Sequence, residues 1–293
     1  MNYDLLRIRL RDKGFVVVKG LLSGDEAIDY AKKLDEAAGK SQLDGYISRS
    51  SKSNGQQPGR LGHLPDGINQ RPEFWPLITH ERLLEVVGQL LGAEARYLPH
   101  SDLRIDTMAS SWDRDNVHRK FGEGPDWDES DEPYQIIRAG IYFQSFASTL
   151  FRHGFIPASH RPVKDVSIKR KAFESALGWS KALNQVLNGA GEWPSIAQWL
   201  PIEQGDCIIY DARTLHAAGR SASPVYASFL TYGLENRHFA RHLDHYQGLQ
   251  TASSCREMAP ELVARLMEAG LYAGREPASD QTEVAGIMKA LAQ

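Results

Sequence analysis

The first 40 residues switch between the apolar spacing of a helix and that of a strand. The segment from Leu6 to Lys13 has the pattern of a short amphipathic helix. The β-branched run from Gly14 to Gly20 predicts a strand that is bounded by glycines. Ser23 and Glu26 then form a Ser-x-x-Glu capping box, which predicts a second helix that ends near Lys40.

The rest of the chain is dominated by strand-like patterns. A helix is predicted from Thr79 to Leu91, where Gly92 ends it. The predicted strands are Arg96–Leu98, Asp102–Met108, Ile136–Phe146, Gly154–Ile156, Asp206–Asp211 and Val225–Tyr232. Further helices are predicted at Val166–Leu200, Pro260–Ala269 and Thr282–Leu291, and loops at residues 41–72 and 109–134. We therefore expect a mainly β fold, a double-stranded β-helix (jelly roll) with helices packed on one sheet.

Composition narrows the class of protein. The chain has 293 residues, 42% of them hydrophobic and 24% charged, which predicts a soluble protein with a substantial core and one domain over residues 1–293. The net charge of −3 argues against a nucleic-acid partner. Cys207 and Cys255 match no zinc or redox spacing, which favours a reducing, cytoplasmic setting. The charged N-terminus and the lack of long apolar runs predict neither a signal peptide nor a membrane span.

Three motifs follow one another in an informative order. They are Trp112-Asp113-Arg114-Asp115, Pro157-Ala158-Ser159-His160, and the strand that runs from Gly205-Asp206 to His216. This series resembles the phytanoyl-CoA dioxygenase family of Fe(II)/2-oxoglutarate-dependent oxygenases, over most of residues 10–245. Members of that family carry Trp-His-x-Asp, then Pro-Gly-Ser-His, then a late histidine. Asp113 stands here where the family has its first histidine.

The resemblance implies an enzyme that binds Fe(II) and 2-oxoglutarate and oxidises a small-molecule substrate. Asp113, Asp115 and His216 would hold the metal, because such iron sites use three protein ligands on one face and leave the other positions for 2-oxoglutarate and O₂. A carboxylate in place of an imidazole makes this ligand set harder and more negative. Such a set favours Mg²⁺, Ca²⁺ or Mn²⁺ more than the family's own set does.

The second expected landmark is also altered. In the family, an arginine about ten residues after the late histidine pairs with the distal carboxylate of 2-oxoglutarate, and a bidentate guanidinium suits that role. Tyr226 occupies this position here. Arg220, Arg138 and Arg104 are the other candidates to anchor the co-substrate.

Other histidines offer alternatives for the missing ligand. His118 lies five residues after Asp113, and His100-Ser101-Asp102 is a literal His-x-Asp triplet. His160 has the place of a turn residue in the family. The histidine-rich run from Asn236 to His245 has no paired acids or cysteines at metal spacing, so it indicates a polar helix face or loop.

A rival hypothesis belongs to a different class of protein. Loss of the first imidazole and of the arginine is what a diverged, non-oxidative relative would show. Such a relative would be a small-molecule binding protein or a metal-free isomerase or cyclase that uses the same cavity. Asp113 and Asp115, if buried side by side, would then share a proton. A third hypothesis is that Asp113 is an engineered replacement of histidine in an active enzyme.

Overall fold

The computed structural model describes residues 1–43, 62–106, 109–161, 171–174, 195–250 and 258–274. Within them the helices are α1 Tyr3–Lys13, α2 Gly24–Leu43, α3 Trp75–Ile78, α4 Glu81–Leu91, α5 Phe146–Thr149, α6 Arg237–Gln250 and α7 Pro260–Glu268. The strands are β1 Phe15–Val18, β2 Gly62–Pro65, β3 Arg96–Asp106, β4 Ile136–Tyr142, β5 Arg152–Phe155, β6 Gln198–Pro201, β7 Cys207–Asp211, β8 His216–Ala218 and β9 Val225–Gly233.

The strands form two antiparallel sheets. The larger sheet has the order β1-β7-β4-β9-β3-β2, and the smaller one has the order β6-β5-β8. An isolated antiparallel bridge between Asp113 and His216 adds one more segment to the smaller sheet, at its β8 edge. This bridge ties the loop that follows β3 to the strand that carries the late histidine.

Alternation along the central strands divides the core into two layers. On β7, Cys207 and Ile209 pack in the cluster that also holds the helix residues Leu34 and Leu83. Ile208 and Tyr210, which point the other way, pack between the two sheets with residues such as Phe155 of β5. The larger sheet is therefore covered by helices on one face and by the smaller sheet on the other, which is how strands buried on both faces are usually placed.

Local signals set the helix ends. The Asn2 side chain accepts a hydrogen bond from the backbone N–H of Leu5 at the start of α1, and Gly14 ends that helix in the left-handed conformation. The capping box is present as predicted, since the Ser23 N–H donates to Glu26 and the Glu26 N–H donates to the Ser23 hydroxyl.

Several predicted bounds differ from the structure. β3 is one continuous strand, irregular between Leu98 and Asp102, rather than two. β4 ends at Tyr142 because a turn and the short helix α5 follow it. β2 lies inside the predicted 41–72 loop, and β6 lies at the end of the predicted 166–200 helix, whose residues 166–170 and 175–194 fall outside the described residues. The predicted helix at 260–269 is confirmed as α7, and the one at 282–291 falls outside the described residues.

No helix among the described residues is long and apolar enough to cross a membrane.

Gly205 opens the turn before β7 and gives a direct test of the strand's anchoring. It has φ +77°, and a Cβ there would collide with the backbone carbonyl of Leu22. Gly205→Ala should lower the free energy of unfolding by more than the roughly 1–2 kcal/mol of left-handed strain alone. Gly270→Ala is the matched control, because Gly270 has φ +67° and open space around its Cβ position. Equal losses in urea unfolding would show that the Leu22 contact is unimportant.

Candidate active site

A cavity of about 140 Å³ lies between the two sheets. Its walls come from β3, β4, β7 and β9 of the larger sheet, from β5 and β8 of the smaller one, and from the loop after β3. The residues that line it are Arg104, Ser110, Ser111, Asp113, Asp115, Tyr142, Phe151, His153, Tyr210, His216, Ala218, Gly219, Val225, Ala227 and Phe229.

Backbone hydrogen bonds fix the loop that carries Asp113 and Asp115. The Asp113 N–H donates to the His216 carbonyl at 2.9 Å, and the His216 N–H donates back at 3.0 Å. The N–H groups of Asp115 and Asn116 both donate to the carbonyl of Ala212, at 2.8 and 3.1 Å. The loop therefore lies along the segment from Ala212 to His216, and Asp115 is carried to the same place as His216.

Asp115 and His216 meet at the cavity. His216 Nε2 lies 3.5 Å from Asp115 Oδ2, and both side chains are largely buried. His216 Nδ1 lies 2.9 Å from the carbonyl oxygen of Thr214, which only accepts. Nδ1 therefore carries a proton and donates it to that bond, so in the neutral ring Nε2 holds the lone pair and faces the carboxylate.

Two further groups hold Asp115 in its ionised form. The Tyr210 hydroxyl donates to Asp115 Oδ2 at 2.7 Å, and the Arg138 Nε atom lies 3.6 Å from the same oxygen. Burial alone would raise the pKa of Asp115, but the charge of Arg138 outweighs it and lowers that pKa well below its usual range. Burial in turn raises the pKa of Tyr210 well above its usual value, so its hydroxyl stays protonated and donates.

Asp113 turns the other way. Its Oδ2 lies 2.6 Å from Arg119 Nη1, and its side chain is 49% exposed. Its other oxygen accepts a hydrogen bond from the Arg114 N–H. Asp113 therefore lies at the rim of the cavity, where Arg119 balances its charge. In this arrangement it does not share a proton with Asp115.

These positions do not fit the three-ligand iron site that the resemblance implied. Among the described residues, no group of three or more His, Cys, Asp or Glu side chains could hold a metal ion. Asp115 and His216 supply two donors, and the third expected donor, Asp113, is paired with Arg119. Asp115 already has a cationic partner in the protein, since Arg138, whose side chain is 1% exposed, lies 3.6 Å from its Oδ2.

The four candidate anchors for 2-oxoglutarate lie in different surroundings. Tyr226 points away from the cavity and donates to Asp35 of α2 at 3.0 Å, and Arg220 is exposed and does not line the cavity. Arg138 lies behind Asp115. Arg104 lines the cavity, opposite Ala227 in the β3–β9 register and over the ring of Phe229. Its Nε atom is buried and has no hydrogen-bond partner among the described residues.

The other histidines singled out in the sequence have mainly structural contacts. His118 lies by Asp126 and outside the cavity lining. His160 is buried, and its Nε2 lies 3.0 Å from the Arg11 carbonyl, consistent with a turn residue that secures the end of α1. The histidine-rich run is helix α6, but His238 and His242 are buried in it rather than on a polar face.

Sequence reasoning missed two residues of the cavity wall that lie beside Asp115 or His216. Tyr210 lies on the predicted strand next to Asp211, and His153 lies on β5, where its Nδ1 bonds to the Tyr142 hydroxyl and its ring centroid is 5.5 Å from that of His216. Burial lowers the pKa of His153 well below its usual value, so the ring is neutral. A histidine and a tyrosine at inward positions of otherwise apolar strands were the available signal.

No protein-family model matches the chain, and no curated protein matches it by sequence. Solved structures do match. SnoN, a non-heme alpha ketoglutarate dependent epimerase from nogalamycin biosynthesis, is 18% identical over 79% of this chain and 80% of its own, with a TM-score of 0.53. SnoK, a non-heme alpha ketoglutarate dependent carbocyclase from nogalamycin biosynthesis, is 17% identical over 81% of this chain and 89% of its own, with a TM-score of 0.53.

HygX from Streptomyces hygroscopicus, with nickel and 2-oxoglutarate bound, is 16% identical over 78% of this chain and 86% of its own, with a TM-score of 0.52. The chain has the fold of these 2-oxoglutarate-dependent enzymes. At such low identity the likeness extends to the fold alone, and the phytanoyl-CoA dioxygenase family stays a prediction.

The depressed pKa of Asp115 predicts a specific dependence of stability on pH. A carboxylate whose folded pKa lies below its ordinary value of 3.8 contributes stability above that value and loses it as pH falls through the folded pKa. Asp115→Asn should therefore be less stable than the wild type near pH 7, by about 3 kcal/mol. The difference should shrink below pH 3.8, as measured by urea unfolding across pH. A difference that stays constant down to acid unfolding would contradict the ionised pair.

Proposed function

We propose that this protein is a small-molecule enzyme that transfers protons within the cavity, with His216 as the general base and Asp115 as its carboxylate partner. The observation that carries the proposal is the placement of His216 Nε2 at 3.5 Å from Asp115 Oδ2, with Nδ1 tied to the Thr214 carbonyl. This is the metal-free branch of the rival hypothesis drawn from the sequence, with His216 in place of Asp113 as the partner of Asp115.

The pair has the properties that a general base needs. In the neutral ring, Nε2 is an acceptor that faces both the cavity and an ionised carboxylate. When Nε2 takes a proton from a substrate, the imidazolium ion that forms lies against Asp115, which stabilises it. Tyr210 and Arg138 hold Asp115 in its charged form throughout, so the negative charge is ready before the proton arrives.

Arg104 points to the class of substrate. Its guanidinium lines the same cavity, and its buried Nε has no partner in the part of the chain that the structure describes, so a carboxylate would complete its hydrogen bonds. The cavity is smaller than the roughly 300 Å³ at which sites for drug-sized ligands begin, which favours a small metabolite. We infer a small carboxylic acid whose reacting proton lies close to the carboxylate.

The reaction class follows from the groups that are present. A proton leaves the substrate for Nε2, and a proton returns to the substrate or to its leaving group. Isomerisation, epimerisation and elimination are balanced by these transfers alone, without an oxidant. SnoN is described as an epimerase and SnoK as a carbocyclase, so proteins of this fold have outcomes other than hydroxylation, although both depend on ketoglutarate.

Solvent exchange tests the proposal directly. The purified protein is incubated in D₂O with EDTA and a panel of small 2-hydroxy, 3-hydroxy and 2-oxo acids, and deuterium incorporation is followed by proton NMR. Wild type should accelerate exchange for at least one acid, and His216→Gln should slow it by roughly 10²–10⁴-fold. Arg104→Gln should mainly raise KM, because it removes the partner of the substrate carboxylate.

His80→Gln is the control, because His80 lies by Glu26 and does not line the cavity. Its exchange rate should equal that of the wild type. If His216→Gln retains the wild-type rate, His216 is not the base and the proposal fails.

An Fe(II)/2-oxoglutarate-dependent oxygenase that oxidises a small molecule is the second candidate. The observation in its favour is that Nε2 of His216 and Oδ2 of Asp115 are both lone-pair donors that converge on one side of the cavity. SnoN has also been solved with Fe³⁺ and alpha ketoglutarate, and HygX with nickel and 2-oxoglutarate. Asp113 would have to leave Arg119 to become the third ligand of Asp113, Asp115 and His216.

Metal binding separates the two candidates. Under the first proposal, protein mixed anaerobically with Fe(II) and 2-oxoglutarate shows no visible charge-transfer band and retains no iron. Asp113→His restores the imidazole that the oxygenase family has, and under the second candidate it should raise iron affinity by roughly tenfold or more. A clear band in the wild type, together with succinate formation in air, would overturn the proton-transfer proposal.

A further inference from the structure

Arg138 lies between two carboxylates in the interior. Its Nη2 is 2.6 Å from Asp102 Oδ2, and its Nε is 3.6 Å from Asp115 Oδ2. Asp102 belongs to the His100-Ser101-Asp102 triplet of the sequence, which takes no part in the cavity lining. The triplet therefore acts on Arg138 rather than on a metal.

Neutral aromatic groups hold the remaining side of Arg138. Its Nη1 contacts the His100 ring, and His100 in turn meets His242 Nε2 at 3.1 Å and the Tyr246 hydroxyl at 2.7 Å. Burial, then the charge of Arg138, lowers the pKa of His242 to about 3 and that of His100 well below its usual value. Both histidines are therefore neutral, and Arg138 carries the charge of this cluster towards the two acids.

We propose that Arg138 is the positioning residue of the site: together with Tyr210 it holds the Asp115 carboxylate against His216. A planar guanidinium fixed by Asp102 and His100 can approach Asp115 from one direction only, while the Tyr210 hydroxyl approaches the same oxygen at 2.7 Å. Without Arg138, the carboxylate would lose both its fixed cation and its orientation. The inference rests on the proposed function in that it takes Asp115 to work with His216.

Arg213 supplies a matched control. It is another buried arginine, 3% exposed, and pairs with Asp211 at 3.0 Å and with Glu129 at 3.3 Å, but it does not line the cavity. Replacing either arginine by glutamine removes a buried cation from between two acids. Of these two arginines, Arg138 is the one that contacts Asp115.

The first measurement is the exchange reaction, with each variant assayed equally far below its melting temperature. Arg138→Gln should lower kcat by roughly 10–100-fold with little change in KM, and Arg138→Lys should recover part of the loss. Arg213→Gln should lose thermal stability but keep its kcat. Equal losses of kcat in Arg138→Gln and Arg213→Gln would reduce Arg138 to a structural residue and overturn the inference.

The second measurement does not depend on activity. Asp115→Asn removes the acid that Arg138→Gln leaves unpaired, so the double variant should melt at a higher temperature than Arg138→Gln alone. Asp115→Asn added to Arg213→Gln should instead lower the melting temperature further. If the wild type shows no exchange with any acid, the proposed function fails, and this comparison still decides the inference. Additive losses in both pairs would overturn it.

Discussion

The site depends on one short backbone contact, the pair of hydrogen bonds that joins Asp113 to His216. These hydrogen bonds attach the loop after β3 to the edge of the smaller sheet, at strand β8 and shortly after β7 ends. The carbonyl of Ala212 then accepts two further hydrogen bonds from the same loop. Because these contacts are made by the backbone, they survive changes in the side chains that the loop carries. The fold can therefore keep the position of this loop whichever side chains it carries.

The charges of the two loop acids are satisfied in different ways. Asp113 is half exposed and pairs with Arg119 at the surface, where solvent screens the interaction and its net contribution is small. Asp115 is mostly buried and faces a guanidinium that is itself held by a second acid. An ionised group in such a place is costly unless it has partners, so the ionised state of Asp115 depends on Arg138 and the residues that hold it. This asymmetry separates the buried Asp115 carboxylate from the Asp113 carboxylate at the rim of the cavity.

Both candidate functions use the same two atoms, Nε2 of His216 and Oδ2 of Asp115. A proton or a metal ion would each satisfy two acceptors that face one another at 3.5 Å. The difference lies in the surroundings, where a fixed guanidinium already neutralises the acid and the third donor is engaged elsewhere. An arginine was expected at position 226 on β9, and Arg104 lies on the neighbouring strand β3. Arg104 lines the cavity and would anchor a carboxylate under either hypothesis.

Periodicity in the sequence was enough to predict most of the elements that carry the site, because β4, β7 and β9 are buried on both faces and have long apolar runs. Shorter or irregular segments such as β2, β6 and β8 have no such signal, since three or four residues form a strand only when a neighbour offers the hydrogen bonds. The order of motifs pointed to Asp115 and His216, but it gave Asp113 the same standing as Asp115. Spacing cannot tell which way a side chain turns when the loop bends between them. Asp113 pairs with Arg119, a nearby residue at the surface, whereas Asp115 faces Arg138 on strand β4. Which arginine meets which acid is decided only once the chain has folded.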